Sequence, residues 1–465
     1  MWHVSSRIHR RTQSLLMLLG GIVALVCVCI SFHDEQTYAG IDLRPKIVGA
    51  RALLSGRDPY ATTWNPAEGE RLLNPRQRIP GPSGNTYAPT LLLFLYGPTC
   101  WLSFRILRLI WWCAEWAALG ASVYWLSSLV KPPALRRIFV LVAVLFFVNS
   151  SVMRLHAERG QYYVFLLFTG TLGWFLHEKG NRRGFWGMVV LGFLGALRPT
   201  YAIMALPLWL LKFRREAIIL VLSCAVFISL TLPVGGLRAW KRYVENVDVT
   251  QAAMQDPALL ERLFGPAQEV PHVLEGMDFR PQLPARITST TFIQFMQPRL
   301  TGDPTNKMHW AWLHLNLEEP SADQWLLRID HLLAAVSVGL FALCSWWNRG
   351  GVKSFRMALF IGVVLALDID YFLPQRYFND MLFLWPIALS FPVLFCRRAA
   401  FPCLVLLASG LLFGHSIIPT TEWSLITSLR SFLVMGASNA LALASLAWPS
   451  RSAPPPKAHL GIDPA

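Results

Sequence analysis

Apolar runs of membrane length recur along this chain from end to end, and that property limits its folds more than any other. A helix needs about 20 mostly apolar residues to cross the hydrocarbon core of a bilayer. In lipid, only helices and closed barrels satisfy their own backbone polar groups. Candidate spans lie at 14–32, 106–129, 138–153, 162–177, 185–197, 200–211, 217–234, 325–347, 357–372, 381–395, 399–416 and 424–448. The reading is therefore an all-α polytopic membrane protein with about 12 transmembrane helices. Composition agrees, since 54% of the 465 residues are hydrophobic and 15% charged. Soluble domains carry about 25% charge, so both a soluble globular protein and a disordered one are excluded.

The net charge of +15 invites a nucleic-acid reading, but its distribution argues for orientation instead. Seven basic clusters stand out: Arg7/Arg10/Arg11, Lys131/Arg136/Arg137, Lys179/Arg182/Arg183, Lys212/Arg214/Arg215, Arg349/Lys353/Arg356, Arg397/Arg398 and Arg451/Lys457. Short loops rich in Lys and Arg stay in the cytoplasm. With twelve spans all seven clusters fall on one side, and both termini are cytoplasmic. These segments hold 19 Lys+Arg against three acids, whereas the remainder is close to neutral. No nucleic-acid partner is implied. The first span has a basic flank and no small-residue cleavage site, which marks a retained helix rather than a cleaved signal peptide.

Two stretches decide the parity. Tyr87–Phe104 is apolar but interrupted by Pro89, Gly97 and Pro98, and reads as a re-entrant or interfacial helix. Residues 185–211 are split by Arg198-Pro199-Thr200 into two short spans meeting at the outer face. Two large extracytoplasmic segments follow, 33–104 and 235–324. Residues 1–449 form one integral-membrane domain, and the Pro-rich stretch 450–465 reads as a disordered cytoplasmic tail. The eight cysteines all lie in apolar runs, so no disulfide framework is implied. Zinc spacings, a Walker loop and a GxGxxG fingerprint are all missing, which leaves a nucleotide-driven enzyme or pump unsupported.

Polar residues gather at the outer mouth. Asp42 precedes a stretch, Leu43–Leu54, whose helical spacing sets Ile47, Val48 and Leu54 against Arg44, Lys46 and Arg51. That pattern reads as an amphipathic helix lying on the membrane surface. Asp42 is then either its N-cap or a carboxylate held above the bilayer as a general base. Asp58, in Gly-Arg-Asp-Pro-Tyr, reads as a turn residue. The connection 154–161 crowds Arg154, His156, Glu158, Arg159 and Gln161 between two spans, either as a solvated loop or as a binding loop. Arg198 sits at membrane depth, where a cation is costly unless an anion answers it. It either snorkels to headgroups or binds a lipid phosphate. A second dense cluster holds Asp368, Asp370, Gln375, Arg376, Tyr377, Asn379 and Asp380. There Arg376 is a candidate second phosphate ligand and Tyr377 a candidate sugar contact, with capping and salt-bridging as the plainer role. Glu115, Asp330 and Arg430 lie inside spans and read as inter-helix pairing. Trp64, Trp240, Trp310 and Trp312 either stack on sugars or pack the outer segments.

The order of these features resembles the GT-C superfamily of integral-membrane glycosyltransferases, and within it glycosyltransferase family 87. The resemblance rests on Asp42, Leu53-Leu54-Ser55-Gly56-Arg57-Asp58-Pro59-Tyr60, Tyr87-Ala88-Pro89, Gly160-Gln161 and Leu197-Arg198-Pro199. It covers residues 14–245, with the later half similar mainly in topology. It implies a transferase using a polyprenyl-phosphate sugar, mannose first, with Asp42 as catalytic base. The physical reading fits this chemistry, with Arg198 binding the donor phosphate and Arg159 or Arg376 assisting. His156, Glu158, Gln161, Tyr87, Tyr377 and Asp380 are then donor or acceptor contacts. The family usually has Lys-Pro where this chain has Arg198-Pro199, so the charge is kept. A late histidine of the family has no counterpart at Gln375-Arg376-Tyr377.

Partners implied are a polyprenyl-phosphate-linked sugar, a glycan, glycolipid or protein acceptor, and the bilayer. The location implied is a bacterial inner (plasma) membrane with an extracytoplasmic active site. No cofactor is required, although Asp42 with Glu158 or Asp370 leaves room for a divalent metal. Other readings are a pentosyl (arabinofuranosyl) transferase of the same fold, an O-antigen ligase or polymerase, and a lipid or solute transporter or flippase. The ligase would place its large loop late, whereas here an early one is as prominent. A transporter would show paired halves and mid-membrane polar sites, neither of which is visible.

Overall fold

The computed structural model describes residues 2–37, 40, 43–60, 72, 87–130, 133–144, 148, 153, 156–157, 160–255, 273–274, 277–278, 320–347, 355–372, 436, 438–443 and 446. Among them the fold is helical, as expected, apart from a two-residue strand pair, β1 (Val273–Leu274) antiparallel to β2 (Met277–Asp278). The helices are α1 (Trp2–Thr37), α2 (Leu43–Leu54), α3 (Pro89–Leu91), α4 (Phe104–Leu129), α5 (Pro133–Ala143), α6 (Tyr163–Glu178), α7 (Asn181–Leu197), α8 (Ala205–Leu210), α9 (Arg214–Ser229), α10 (Leu232–Gln255), α11 (Pro320–Trp347) and α12 (Phe355–Phe372). The expected spans 381–395 and 399–416, most of 424–448, and the tail 450–465 lie outside the described residues.

Two helices among the described residues are by themselves long and apolar enough to cross a membrane, at Ser14–His33 and Phe104–Leu129. A third counts if α9 and the start of α10 are taken as one bent element. The expected span 217–234 is thereby corrected: α9 ends at Ser229, and the chain turns by 100° into Leu232–Glu245. The cause is local. Pro233 has no N–H to continue the ladder, the Thr231 hydroxyl donates to the Ile228 carbonyl as the helix ends, and Gly236, at φ +64°, kinks α10 before Leu237.

The core is a bundle in which α4 packs on α6, α6 on α7 and α7 on α9. Glycines set the α6–α7 spacing. A Cβ at Gly187 would lie 2.5 Å from the Gly173 carbonyl oxygen, so the two backbones touch. Such small-residue contacts supply packing where lipid gives helices no hydrophobic reason to associate. After α7 the chain breaks at Arg198, which is extended, and resumes as a 3-10 turn over Pro199–Met204. That break is where the sequence split 185–211. The turn and α8 pack against α12, where a Cβ at Gly362 would meet the Met204 backbone at 3.0 Å.

The bundle has two unlike ends. At one, Arg356 donates from Nε and Nη2 to the two carboxylate oxygens of Glu178, at 2.7 and 2.8 Å. The His177 ring stacks on Phe355 at 3.5 Å, and Phe213 meets Phe355 edge-on at 6.0 Å. The end of α6 and the starts of α7, α9 and α12 therefore meet at one end, and Lys179, Lys212 and Arg356, from three of the seven basic clusters, lie there. The start of α6, the end of α7 and the end of α9 lie at the other.

Leu43–Leu54 forms the expected helix, but it does not lie on a surface. Arg44 and Lys46 have no exposed area, and along α2 only Leu54 is open. Each cation of the supposed wet face is turned inward. Arg51 donates to the Cys100 and Leu102 carbonyls at 2.6 and 2.8 Å, and Arg44 lies over the Phe104 ring. The carbonyls come from the end of a broken helical segment, where α3 runs into a π turn (Leu92–Tyr96) and a 3-10 turn (Gly97–Thr99). Carbonyls at such an end lack intrahelical donors, and Arg51 supplies them. The segment's eleven residues reach roughly half the ~30 Å of a bilayer core.

Candidate active site

The site is built around Tyr162, the residue preceding α6. Its hydroxyl accepts from Arg198 Nη1 at 2.7 Å. Its ring stacks on Tyr163 at 4.5 Å and meets Tyr87 edge-on at 5.7 Å. Arg198 is half-buried, with its guanidinium 5.7 Å from the Tyr163 ring centre. Three aromatic rings and one guanidinium thus converge where α6 starts and α7 ends.

Lys46 enters from the other side of Tyr162. Its Nζ donates to Gln161 Oε1 at 2.9 Å and reaches the Gly160 carbonyl at 3.4 Å. The ammonium lies 5.0 Å from the Tyr87 ring centre and 5.4 Å from that of Tyr162. Paired ring faces offer a desolvated cation part of what water gave it. Sequence patterning missed this residue, because helical spacing placed it on a solvent face. The available signal was Gln161, an amide at an apolar helix start that needs a buried partner.

The loop before α6 is held from inside. His156 Nε2 accepts the Val164 backbone N–H at 3.1 Å, so the imidazole does for α6 what an N-cap side chain does. Its Nδ1 faces Glu115 Oε1 of α4 at 3.3 Å, with both side chains fully enclosed. Burial first, and the Lys46 cation second, hold the imidazole well below the usual histidine range. Because Nε2 accepts the Val164 N–H, the neutral imidazole carries its proton on Nδ1. The backbone closes the loop further: Gln161 N–H donates to the His156 carbonyl at 3.0 Å, and Gly160 N–H to that of Ala157 at 3.2 Å. This geometry gives His156 a holding role, whatever contact it makes with donor or acceptor. Glu115 pairs across elements, as its position in a span suggests.

Gly160 is required by its surroundings. Its φ is +64°, and a Cβ there would lie 2.6 Å from Leu43 Cβ. The first turn of α2 rests on this bare backbone. Leu43 N–H donates to the Gly40 carbonyl at 2.9 Å, and Gly40 packs under the Arg108 side chain, which pairs with Glu35 at 3.1 Å. The chain is thus fixed on both sides of residues 41 and 42. Asp42 itself lies outside the described residues, as do Arg154, Glu158, Arg159, Arg376, Tyr377 and Asp380, and the side chain of Asp370.

Among the expected contacts, the structure brings Tyr87, His156, Gln161 and Arg198 to one place. Tyr87 is tied further, since its carbonyl accepts from the Tyr60 hydroxyl at 2.7 Å. Asp58 accepts the Tyr60 N–H at 2.9 Å, the side-chain-to-backbone turn its sequence context suggests. Trp240 donates to the Thr231 hydroxyl and meets Tyr243 edge-on, which is packing. Asp368 of α12, expected at the outer cluster, is fully buried. It accepts from Ser337 of α11 and from Asn439 at 2.8 Å, tying three segments together. Among the described residues no three His, Cys, Asp or Glu side chains are grouped to hold a metal ion.

In comparisons with known proteins, a family model described as glycosyltransferase family 87 matches residues 85–369. The curated proteins and the solved structures contain no match. The matched stretch contains Tyr87, His156, Gly160, Gln161 and Arg198.

Proposed function

Because the chain belongs to glycosyltransferase family 87, we propose that it moves a sugar, mannose first, from a polyprenyl-phosphate donor to an acceptor hydroxyl. It is a membrane glycosyltransferase by family and by its apolar helices, and the donor, the base and the stereochemistry are our reading. Asp42 takes the proton of the acceptor hydroxyl, whose oxygen attacks the anomeric carbon. The bond to the phosphate oxygen breaks, and the polyprenyl phosphate leaves with its electron pair. A single displacement of this kind inverts the anomeric configuration. The negative charge that grows on the leaving phosphate needs a preorganised cation. Arg198 suits this role, because a guanidinium meets phosphate oxygens in a planar fork.

The observation that carries the reading is the position of Arg198. It stands at the end of the bundle opposite the Glu178–Arg356 pair, oriented by Tyr162, at the break between two apolar helices. A lipid phosphate lies at that depth, with its tail along the helices and its sugar beyond them. Arg159 and Arg376 are assisting ligands, and Glu158, Gln161, Tyr87, Tyr377 and Asp380 are sugar or acceptor contacts. His156 contributes by holding the loop on which Gln161 sits. The acceptor is a glycan, glycolipid or protein on the extracytoplasmic side of a bacterial inner membrane. The contacts that hold Gly40 and Leu43 support Asp42, which lies between them in the chain, as base, since a base must be held in place.

The test is transfer by the purified protein, offered radiolabelled polyprenyl-phosphate mannose and the arabinofuranose donor separately. Mannose transfer that disappears in Asp42→Asn, with donor binding retained, is the expected result. Transfer of arabinofuranose alone would replace the sugar, and full activity of Asp42→Asn would remove the base.

A further inference from the structure

The break at Leu230–Leu232 and the kink at Gly236 leave α10 at 100° to α9, with an exposed surface the proposed reaction does not use. The inner side of α10 is committed. Ala239 is buried, and Tyr243 packs on Tyr60 with ring centres 6.1 Å apart. Arg242 pairs with Asp58 at 3.5 Å. The outer side is open. Leu237 is 75% exposed and Val244 56%, and Lys241 between them is 78% exposed along its side chain, 3.7 Å from the partly exposed Glu245 carboxylate one turn on. Arg238 is also exposed.

What covers this surface follows from α9. Ile218, Leu222, Val226 and Leu230 are exposed apolar residues four apart, a stripe of the kind an apolar helix turns toward lipid. Val234 and Leu237 extend the apolar exposure past the bend. A helix turned about a right angle from a lipid-facing one, with apolar residues flanked by cations, has the make-up of an interfacial helix. Acyl chains meet Leu237 and Val244, and headgroup phosphates meet Arg238 and Lys241.

We propose that the first turns of α10, from Leu237 to Val244, lie in the headgroup layer of the membrane and bind the phosphates of anionic lipids through Arg238 and Lys241. The surface is continuous with the site. Arg242 holds Asp58, Tyr243 packs on Tyr60, and the Tyr60 hydroxyl donates to the Tyr87 carbonyl. The headgroup plane is thereby tied to the ring beside Lys46 and Tyr162. The proposal does not depend on the sugar chemistry.

The experiment uses the full chain in nanodiscs, with a photoreactive phenylalanine analogue in place of Leu237 and, separately, Val244. Lipid adducts are expected at both positions. Adducts to the protein's own chain, or none, would overturn the placement. In a second arm, native mass spectrometry compares retention of phosphatidylglycerol and phosphatidylcholine with matched chains. Each surface cation contributes about fivefold to binding an anionic membrane. Arg238→Gln and Lys241→Gln should each lower the phosphatidylglycerol preference by about that factor. Both positions are exposed, so folding is preserved, and thermal unfolding checks this. A wild-type protein that retains both lipids equally would overturn the anionic assignment.

Discussion

The Arg198 guanidinium reaches across the bundle mouth to donate to the Tyr162 hydroxyl at 2.7 Å, joining the end of α7 to the start of α6. A flexible cation is thereby given one direction before any ligand arrives. Preorganisation of this kind separates a binding residue from a merely basic one.

Tyr162→Phe keeps the stacked ring and removes the acceptor. The expected outcome is a donor KM raised about fivefold, matching the loss of one hydrogen bond of about 1 kcal/mol. Arg198→Ala should raise it by about a hundredfold, in the range for charge-assisted bonds. Steady-state kinetics on both variants checks the pair. An unchanged donor KM in Arg198→Ala would remove its phosphate role.

Lys46→Met keeps the length of the stem and deletes the charge. Gln161 Oε1 and the Gly160 carbonyl lose their donor in a closed environment. The expected cost is about 1–3 kcal/mol of stability, read by thermal unfolding in detergent. Activity should fall with it, because Gln161 and Tyr162 are adjacent in the chain.

Gly160→Ala sets a methyl group 2.6 Å from Leu43 Cβ at a φ of +64°. Activity should drop at least about tenfold as the start of α2 is pushed away, since a displacement of about 1 Å near a reacting centre costs that much or more. Leu43→Gly in the same chain removes the facing Cβ and should restore part of the loss. The remainder combines the left-handed backbone, about 1–2 kcal/mol for alanine, with the cavity left by the buried Leu43 side chain.

His156 makes stability depend on pH in a stated direction. Its folded imidazole is held well below the usual value by burial and then by Lys46, whereas the unfolded one protonates near 6.5. Below about pH 6.5 the unfolded chain therefore binds more protons. Stability should be full above that point and fall by about 1 kcal/mol per pH unit beneath it. The groups facing the ring are Glu115 and Lys46. Unfolding midpoints between pH 5 and 8 check this, and His156→Gln should flatten the slope.

At the opposite end, burial raises the Glu178 carboxyl, and hydrogen bonds from Arg356 more than offset it, leaving it below its ordinary value. Its contribution is present above the unfolded carboxylate range and lost as pH falls through the folded value. The pair is partly open to solvent, so Glu178→Gln should cost about 1 kcal/mol. Transfer activity should hardly change, since the pair lies at the end of the bundle away from Arg198.

Much of this was legible in the sequence, for reasons specific to each residue. Arg198 could be placed because a proline follows it, and a cation at a helix break within an apolar run has few explanations. The bounds of α2 followed from helical spacing. The inward turn of Lys46 and Arg51 did not, because periodicity orders residues into faces without saying what each face meets. Here one face meets orphan carbonyls and aromatic rings from segments 40 or more residues away. The pairing of Glu115 with His156 joins positions 41 apart and leaves no local trace. The end of α9 was overrun because hydropathy continues past Thr231 while the backbone does not.

The contact between Gly173 and Gly187 has a consequence over generations. Every single-base change that alters a glycine codon's amino acid introduces a Cβ, and at Gly187 that atom would lie 2.5 Å from a backbone oxygen. No intermediate residue is small enough to serve as a step. The α6–α7 seam is therefore closed to gradual drift, and descendants of this chain can change it only by moving a whole helix.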